Sequence, residues 1–145
     1  WTKGGQTPHV MSQADIATMV KAFGDSAVRM KSAGFDGLEV HLGHGHLIQQ
    51  FLSPASNSRH DKYGGSLENR MRFAVEVLSE IFSRVPGMAV GVRFSADEFM
   101  PNGLEPEAML EIVANLNQSF KLDFIHPLLT NTFSKFRPSK GVITS

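Results

Sequence analysis

Phe35-Asp36-Gly37-Leu38-Glu39-Val40-His41-Leu42-Gly43-His44-Gly45-His46 is the stretch that decides how this 145-residue chain folds. Its first half has the length and composition of a strand, and three histidines then crowd into six residues. The histidines therefore fall where a strand leaves a sheet. In an α/β protein, binding and catalytic groups gather at that carboxyl end. Imidazole is also the side chain best placed to donate, accept or carry a proton near neutral pH. His41, His44 and His46 are accordingly the first candidate site residues.

Outward from this strand the pattern is regular. Residues 1–11 read as irregular, with Gly4-Gly5 and Pro8. Ser12 with Asp15 is a helix-start signal, and Ile16, Met19, Val20, Phe23, Ala27 and Met30 form a helical stripe that Gly34 closes. Gly24 weakens that helix slightly. After the strand at 36–42 come a short helical turn at 47–52 and a loop at 53–65 dense in Ser, Asn, Pro and Gly. Ser66 caps a second long helix with the stripe Leu67, Met71, Ala74, Val75, Leu78, Ile81, Phe82 and Val85, which Pro86-Gly87 stops. A strand at 88–94, a loop at 95–104, a helix from Glu105 with Pro106 in its first turn and a strand at 122–126 complete the order.

Alternating helices and strands predict a parallel sheet with crossover helices. Doubly wound sheets and (β/α)8 barrels share this order, and periodicity does not separate them. A barrel of this kind needs eight strands, so three make less than half of one. The chain starts at Trp1 rather than Met and ends in the polar segment Ser134 to Ser145. Residues 1–145 are therefore expected to be a fragment of one larger domain.

Composition narrows the function classes. Hydrophobic residues make up 41% and charged residues 19%, as in an ordinary globular protein. Lys+Arg and Asp+Glu both number 14, so charge gives no hint of a nucleic acid or an acidic membrane. No apolar stretch approaches the roughly 20 residues that span a bilayer, and the start does not resemble a signal peptide. With no cysteine, disulfides and thiolate chemistry are excluded within these residues, and a cytoplasmic setting is expected.

More specific blocks lie around the histidines. His44-Gly45-His46-Leu47-Ile48-Gln49-Gln50-Phe51-Leu52-Ser53-Pro54 is followed by Asn57, Arg59 and Asp61. Next come Tyr63-Gly64-Gly65-Ser66-Leu67-Glu68-Asn69-Arg70-Met71-Arg72-Phe73 and Val90-Gly91-Val92-Arg93-Phe94-Ser95. In this order, from about residue 8 to 126, they resemble the old yellow enzyme family of FMN-dependent oxidoreductases. The nearer match is the bacterial branch, with its dienoyl-CoA reductase, trimethylamine dehydrogenase and N-demethylase members. The resemblance implies a partial TIM (β/α)8 barrel, about its fourth to sixth strands, and FMN across the carboxyl ends of the strands. It also implies NAD(P)H as electron donor, a small-molecule substrate such as an activated alkene or amine, and room in a full-length parent for a 4Fe-4S cluster and a homo-oligomer. The isolated fragment is expected to be inactive.

By the same resemblance, His41 and His44 match a pair that hydrogen-bonds the substrate oxygen. Two donors aimed at one oxygen stabilise the charge that builds there as hydride arrives. Arg93 matches the arginine beside the flavin, with His41 as a second cofactor contact. His46 stands where many ene reductases carry a proton-donating tyrosine. That departure, with Ser95-Ala96-Asp97-Glu98-Phe99, points towards amine-dehydrogenase or N-demethylase relatives as the alternative chemistry.

Plainer readings stand beside these. His44-x-His46 with His126 is similar to the H-x-H of TIM-barrel metal-dependent hydrolases, whose imidazoles gather zinc; the Tyr63-to-Arg70 block has no place there, so no metal is expected. That block is read as structural, with Arg59, Asp61, Glu68 and Arg70 in ion pairs and Tyr63 as an exposed aromatic at the substrate entrance. Glu39 shares the face of His41 and needs a partner, for which Arg93 is the candidate. Asp97, Glu98 and Asn102 are expected to touch substrate or solvent. Pro127-Leu128-Leu129-Thr130 reads as a divergent loop, and Lys135, Arg137 and Lys140 as a basic tail.

Overall fold

Each helix and strand anticipated from periodicity is present in the computed structural model, which describes residues 9–128. The order is α1 (Gln13–Ser32), β1 (Gly37–Leu42), α2 (Leu47–Leu52), α3 (Leu67–Arg84), β2 (Ala89–Ser95), α4 (Pro106–Phe120) and β3 (Phe124–Leu128). The Gly4-Gly5 and Pro8 start, Leu129-Thr130 and the Lys135, Arg137 and Lys140 tail lie outside the described residues. No described helix is long and apolar enough to cross a membrane.

Local chemistry sets the helix ends. The Ser12 hydroxyl accepts from the Asp15 amide, and the Asp15 carboxylate accepts from the Ser12 amide, a complete capping box. Ser66 caps α3 by accepting from the Asn69 amide. Pro106 opens α4, and Lys121 closes it in the left-handed region at φ 51°. Leu122 and Asp123 are thereby spent on the connection, with the Asp123 carboxylate accepting from the Val90 amide. The third strand therefore begins two residues later than its periodicity predicts and runs on through Pro127 and Leu128, which are strand rather than loop.

The three strands pair in parallel in the order β1-β2-β3. Leu38, Val40 and Leu42 share one face of the sheet with Val90, Val92 and Phe94, and all six are buried. They join a core with Ile16 of α1, with Phe73, Val77, Leu78 and Ile81 of α3, and with Met109, Ile112 and Leu116 of α4. Each such side chain contributes about 1.5–3 kcal/mol through burial. Gly24 is no defect in α1. A Cβ there would lie 2.6 Å from Glu80 Cγ, so glycine lets α1 approach α3 closely. Arg84 of α3 then reaches Asp25 of α1 at 2.6 Å.

The long loop between α2 and α3 is pinned by polar groups. Asn57 donates to the carbonyls of Phe51 and Tyr63 at 2.6 and 2.8 Å. Arg59 pairs with Asp61 as expected, at 2.6 Å. Arg70 instead donates to the carbonyls of Leu52 and Gly65, and Glu68 meets Arg72. Tyr63 is not an exposed entrance residue: it is 4% accessible, packs edge-on against Phe51 and donates its hydroxyl to Glu76 at 3.0 Å. Desolvation first, and Glu76 second, push the phenol up to about 12.

Replacing that hydroxyl leaves the Glu76 carboxylate short of a donor. Tyr63→Phe is expected to lower stability by about 1–2 kcal/mol in urea denaturation. Because the folded phenol titrates above its ordinary value near 10, Tyr63 contributes stability fully below that value, and this is lost as pH rises towards about 12. Equal stability of the two proteins at neutral pH would remove Tyr63 from the list of loop anchors.

Candidate functional site

The register of the sheet assembles the site. His41 pairs with Arg93, and Arg93 with His126, so these three form a row across β1, β2 and β3. One step towards the strand starts lies a second row, Glu39, Gly91 and Phe124. Side chains two apart on a strand share a face, so both rows occupy the face opposite the apolar core. A Cβ at Gly91 would sit 2.4 Å from the Phe124 ring, so only glycine leaves that ring its place. Glu39 does not find its partner in Arg93. It meets His126 Nδ1 at 3.1 Å, one strand further on. Arg93 Nε is buried and has no hydrogen-bond partner among the described residues.

Beyond His41 the chain turns sharply. His44 and Gly45 both adopt positive φ, 56° and 68°. Such a backbone costs a histidine about 1 kcal/mol or more and needs external support. The support comes from buried polar side chains. The His44 amide donates to Ser95 Oγ at 2.9 Å, and the Gly45 amide to Gln49 Oε1 at 2.8 Å. Gln49 Nε2 in turn donates to Glu98 Oε1 at 2.7 Å. Glu98 Oε2 accepts from Ser53 Oγ and from the Leu104 amide, each at 2.6 Å. Gln49, Ser53 and Ser95 are all buried.

Sequence reasoning missed Gln49, Ser53 and Ser95. The available signal was the occurrence of polar side chains where the short helix and the end of β2 are otherwise apolar. Glu98, expected at substrate or in solvent, is instead the anchor of this network. Asp97 accepts from the Phe99 amide, and Asn102 forms a left-handed turn at φ 57°.

All three imidazoles of the cluster come together. The His41 ring centre lies 5.1 Å from those of His44 and His46, which are 6.4 Å apart. His46 is the N-cap residue of α2 but makes no capping hydrogen bond with its side chain. His41 is half-buried and His44 and His46 are exposed. Desolvation, then the neighbouring His46, His44 and Arg93, push the His41 pKa down, with Glu39 opposing. Near neutral pH His41 is therefore an uncharged ring with one N–H to give. A cleft of about 750 Å³ runs behind the loop, lined by Gln49, Phe51, Asn57, Arg59 and Glu98 among others. It touches Gly45 but none of the three imidazoles, so it backs the loop rather than forming the histidine site.

Two outcomes test this geometry. Ser95→Ala and Gln49→Ala each remove the acceptor of a part-buried amide, so each is expected to lose about 0.5–1.5 kcal/mol of stability and to speed exchange of the His44 or Gly45 amide respectively. Unchanged exchange would show that the loop is held by something else. In an NMR titration the His41 ring is expected to show a midpoint below the ordinary 6.5, moving upward in His46→Gln. A depressed pKa means that the stability His41 contributes is present above 6.5 and is lost as pH falls.

Comparison with known proteins now places the chain. Residues 2–134 match the NADH:flavin oxidoreductase / NADH oxidase family. An NADH-dependent flavin oxidoreductase of Aspergillus parasiticus is 40% identical over 119 residues, 81% of this chain and 27% of the relative. An N,N-dimethylglycine/sarcosine dehydrogenase of Chromohalobacter salexigens is likewise 40% identical over 119 residues, 81% of this chain and 17% of the relative. Morphinone reductase, solved in complex with tetrahydroNAD, superposes with a TM-score of 0.78 at 32% identity, covering 90% of this chain and 36% of that one. The chain thus spans about a third or less of these relatives, and its three-stranded sheet is an arc of a TIM barrel. It belongs to the NADH:flavin oxidoreductase / NADH oxidase family.

Proposed function

We propose that this protein is an FMN-dependent oxidoreductase that passes a hydride between NAD(P)H and a small organic substrate, with its site on the His41–Arg93 row. The observation that carries this reading is Arg93: its Nε is buried without a described partner, on the strand beside His41. A buried guanidinium nitrogen needs an acceptor, and the edge of a flavin ring supplies one. Arg93, with His41 beside it, would hold the cofactor, and a fixed cation there raises the affinity of such a ring for electrons. FMN when bound supplies two-electron redox chemistry at its isoalloxazine.

The protein's own part is orientation and charge. His41 and His44 each direct a ring N–H at one substrate oxygen, where negative charge accumulates during reduction. The uncharged state of His41 suits it to donate a hydrogen bond rather than lose a proton. His46, exposed at the start of α2, can exchange its ring proton with water and so deliver one to substrate. Ser95, Gln49 and Glu98 act at one remove, keeping the His44–Gly45 turn in its left-handed form. A cytoplasmic setting belongs to the same proposal.

A second reading, oxidation of an N-methylated amine on the same barrel, rests on His46. Imidazole stands where an ene reductase of the resembled family carries tyrosine, and amine oxidation needs no proton donor there. Similarity to the dimethylglycine/sarcosine dehydrogenase supports it too.

One set of measurements on the purified full-length protein separates these. Flavin bands near ~370 and ~450 nm are expected, with Arg93→Met weakening FMN retention and making its reduction potential more negative. His44→Ala is expected to cost about 10²-fold in kcat/KM for an unsaturated ketone, the scale of one oxyanion donor. Bleaching of the flavin by sarcosine without air would instead favour the amine reading. A folded protein lacking flavin bands would sink both.

A further inference from the structure

We propose that His41, His44 and His46 also form a binding site for a single divalent transition-metal ion of the zinc class, one that closes the histidine clamp to substrate. Metal binding stands on the three side chains alone, and its exclusion of substrate rests on the function proposed above. One ligand nitrogen from each ring can be chosen so that all lie within 4.8 Å of one another. Tetrahedral zinc with bonds of about 2.0–2.1 Å sets its ligand nitrogens about 3.3 Å apart. The gap to be closed is therefore about 1.5 Å. His44 and His46 are exposed, so their side chains have room to rotate towards His41.

The scaffold favours a metal in three ways. The rings arrive from different backbone settings, a strand end, a left-handed residue and a helix N-cap, so they converge on one point rather than lying along one surface. The Ser95 and Gln49 hydrogen bonds fix the single turn that carries His44 and leads into His46. Among the described residues, His9 and His126 have carboxylate partners, and the group of side chains able to converge on one ion consists of the three imidazoles. Three imidazoles with an open fourth position match zinc, cobalt, nickel and copper, and no oxygen ligand is offered that would select magnesium or calcium.

Consequences for the reaction follow from shared atoms. A metal bound here takes nitrogens that would otherwise meet the substrate oxygen, so metal and substrate exclude one another. Arg93, paired in register with His41, puts a second cation nearby and keeps the affinity moderate. An anion in the fourth position would relieve that repulsion.

The test is a titration of the full-length FMN-loaded protein with ZnCl2 in a non-chelating buffer, followed by calorimetry and by thermal unfolding. One zinc per chain and a raised Tm are expected, with affinity weakened about tenfold or more in His44→Gln and again in His46→Gln. His126→Gln is expected to leave zinc binding unchanged. Magnesium chloride is expected to produce neither heat nor a shift. Zinc binding that survives in the His44→Gln/His46→Gln double variant, or its absence from the wild-type protein at millimolar zinc, would overturn the proposal. Flavin absorbance recorded in the same samples reports separately on the cofactor, so failure of one reading is not mistaken for failure of the other.

Discussion

The pairing of β1 with β2 in one register is the constraint on which everything at the site depends. It sets His41 against Arg93 and Leu38, Val40 and Leu42 beside Val90, Val92 and Phe94. A strand has a period of two, so a slip by one residue would turn the cationic and imidazole side chains into the apolar core. Six buried apolar side chains oppose that slip, and so does a contact at the start of the strands. There Gly37 lies so close to Ala89 that a Cβ would come within 3.0 Å of its carbonyl oxygen. The chemistry of one face is thus positioned by hydrophobic burial on the other.

A second layer of control is polar. Glu98 gathers Gln49, Ser53 and the Leu104 amide, and through Gln49 it reaches the turn carrying His44. Buried polar groups of this kind specify a conformation strongly when all are satisfied and cost dearly when one partner is lost. Here they join the loop after β1 to the loop after β2, so the two strand ends that bear the candidate site move together. The bulky Tyr63-to-Arg70 block, distinctive as sequence, serves the same end from further out by fixing the loop on which α2 rests.

Much of this was legible in the sequence because it is local. Capping at Ser12 and Ser66, the stop at Pro86-Gly87 and the face shared by Gly91 and Arg93 depend on neighbours within a few residues. What escaped depends on distant ones. Gln49 and Glu98 are 49 positions apart, and Glu39 and His126 are 87 apart, so their meeting is decided by loop paths that no periodicity encodes. Tyr63 looked like a surface aromatic in a polar loop, yet Asn57 folds that loop back and buries the ring. Gly24 looked like a weakness within a helix and is a point of helix contact. The crowding of three imidazoles at a strand end was legible in the sequence, but not the left-handed turn that brings their rings together.

That turn has a consequence for which amino acids position 44 can accept. Left-handed backbone excludes β-branched side chains, and among non-glycine residues it is enriched in asparagine, aspartate and histidine. Histidine and asparagine from this set can donate a side-chain hydrogen bond to a neutral oxygen at neutral pH. The choice of histidine at position 44 thus has a steric origin as well as a chemical one. A threonine or an isoleucine would be rejected by the main chain before its chemistry was ever tested. At this strand end, the shape of the backbone has already narrowed the repertoire from which evolution could choose.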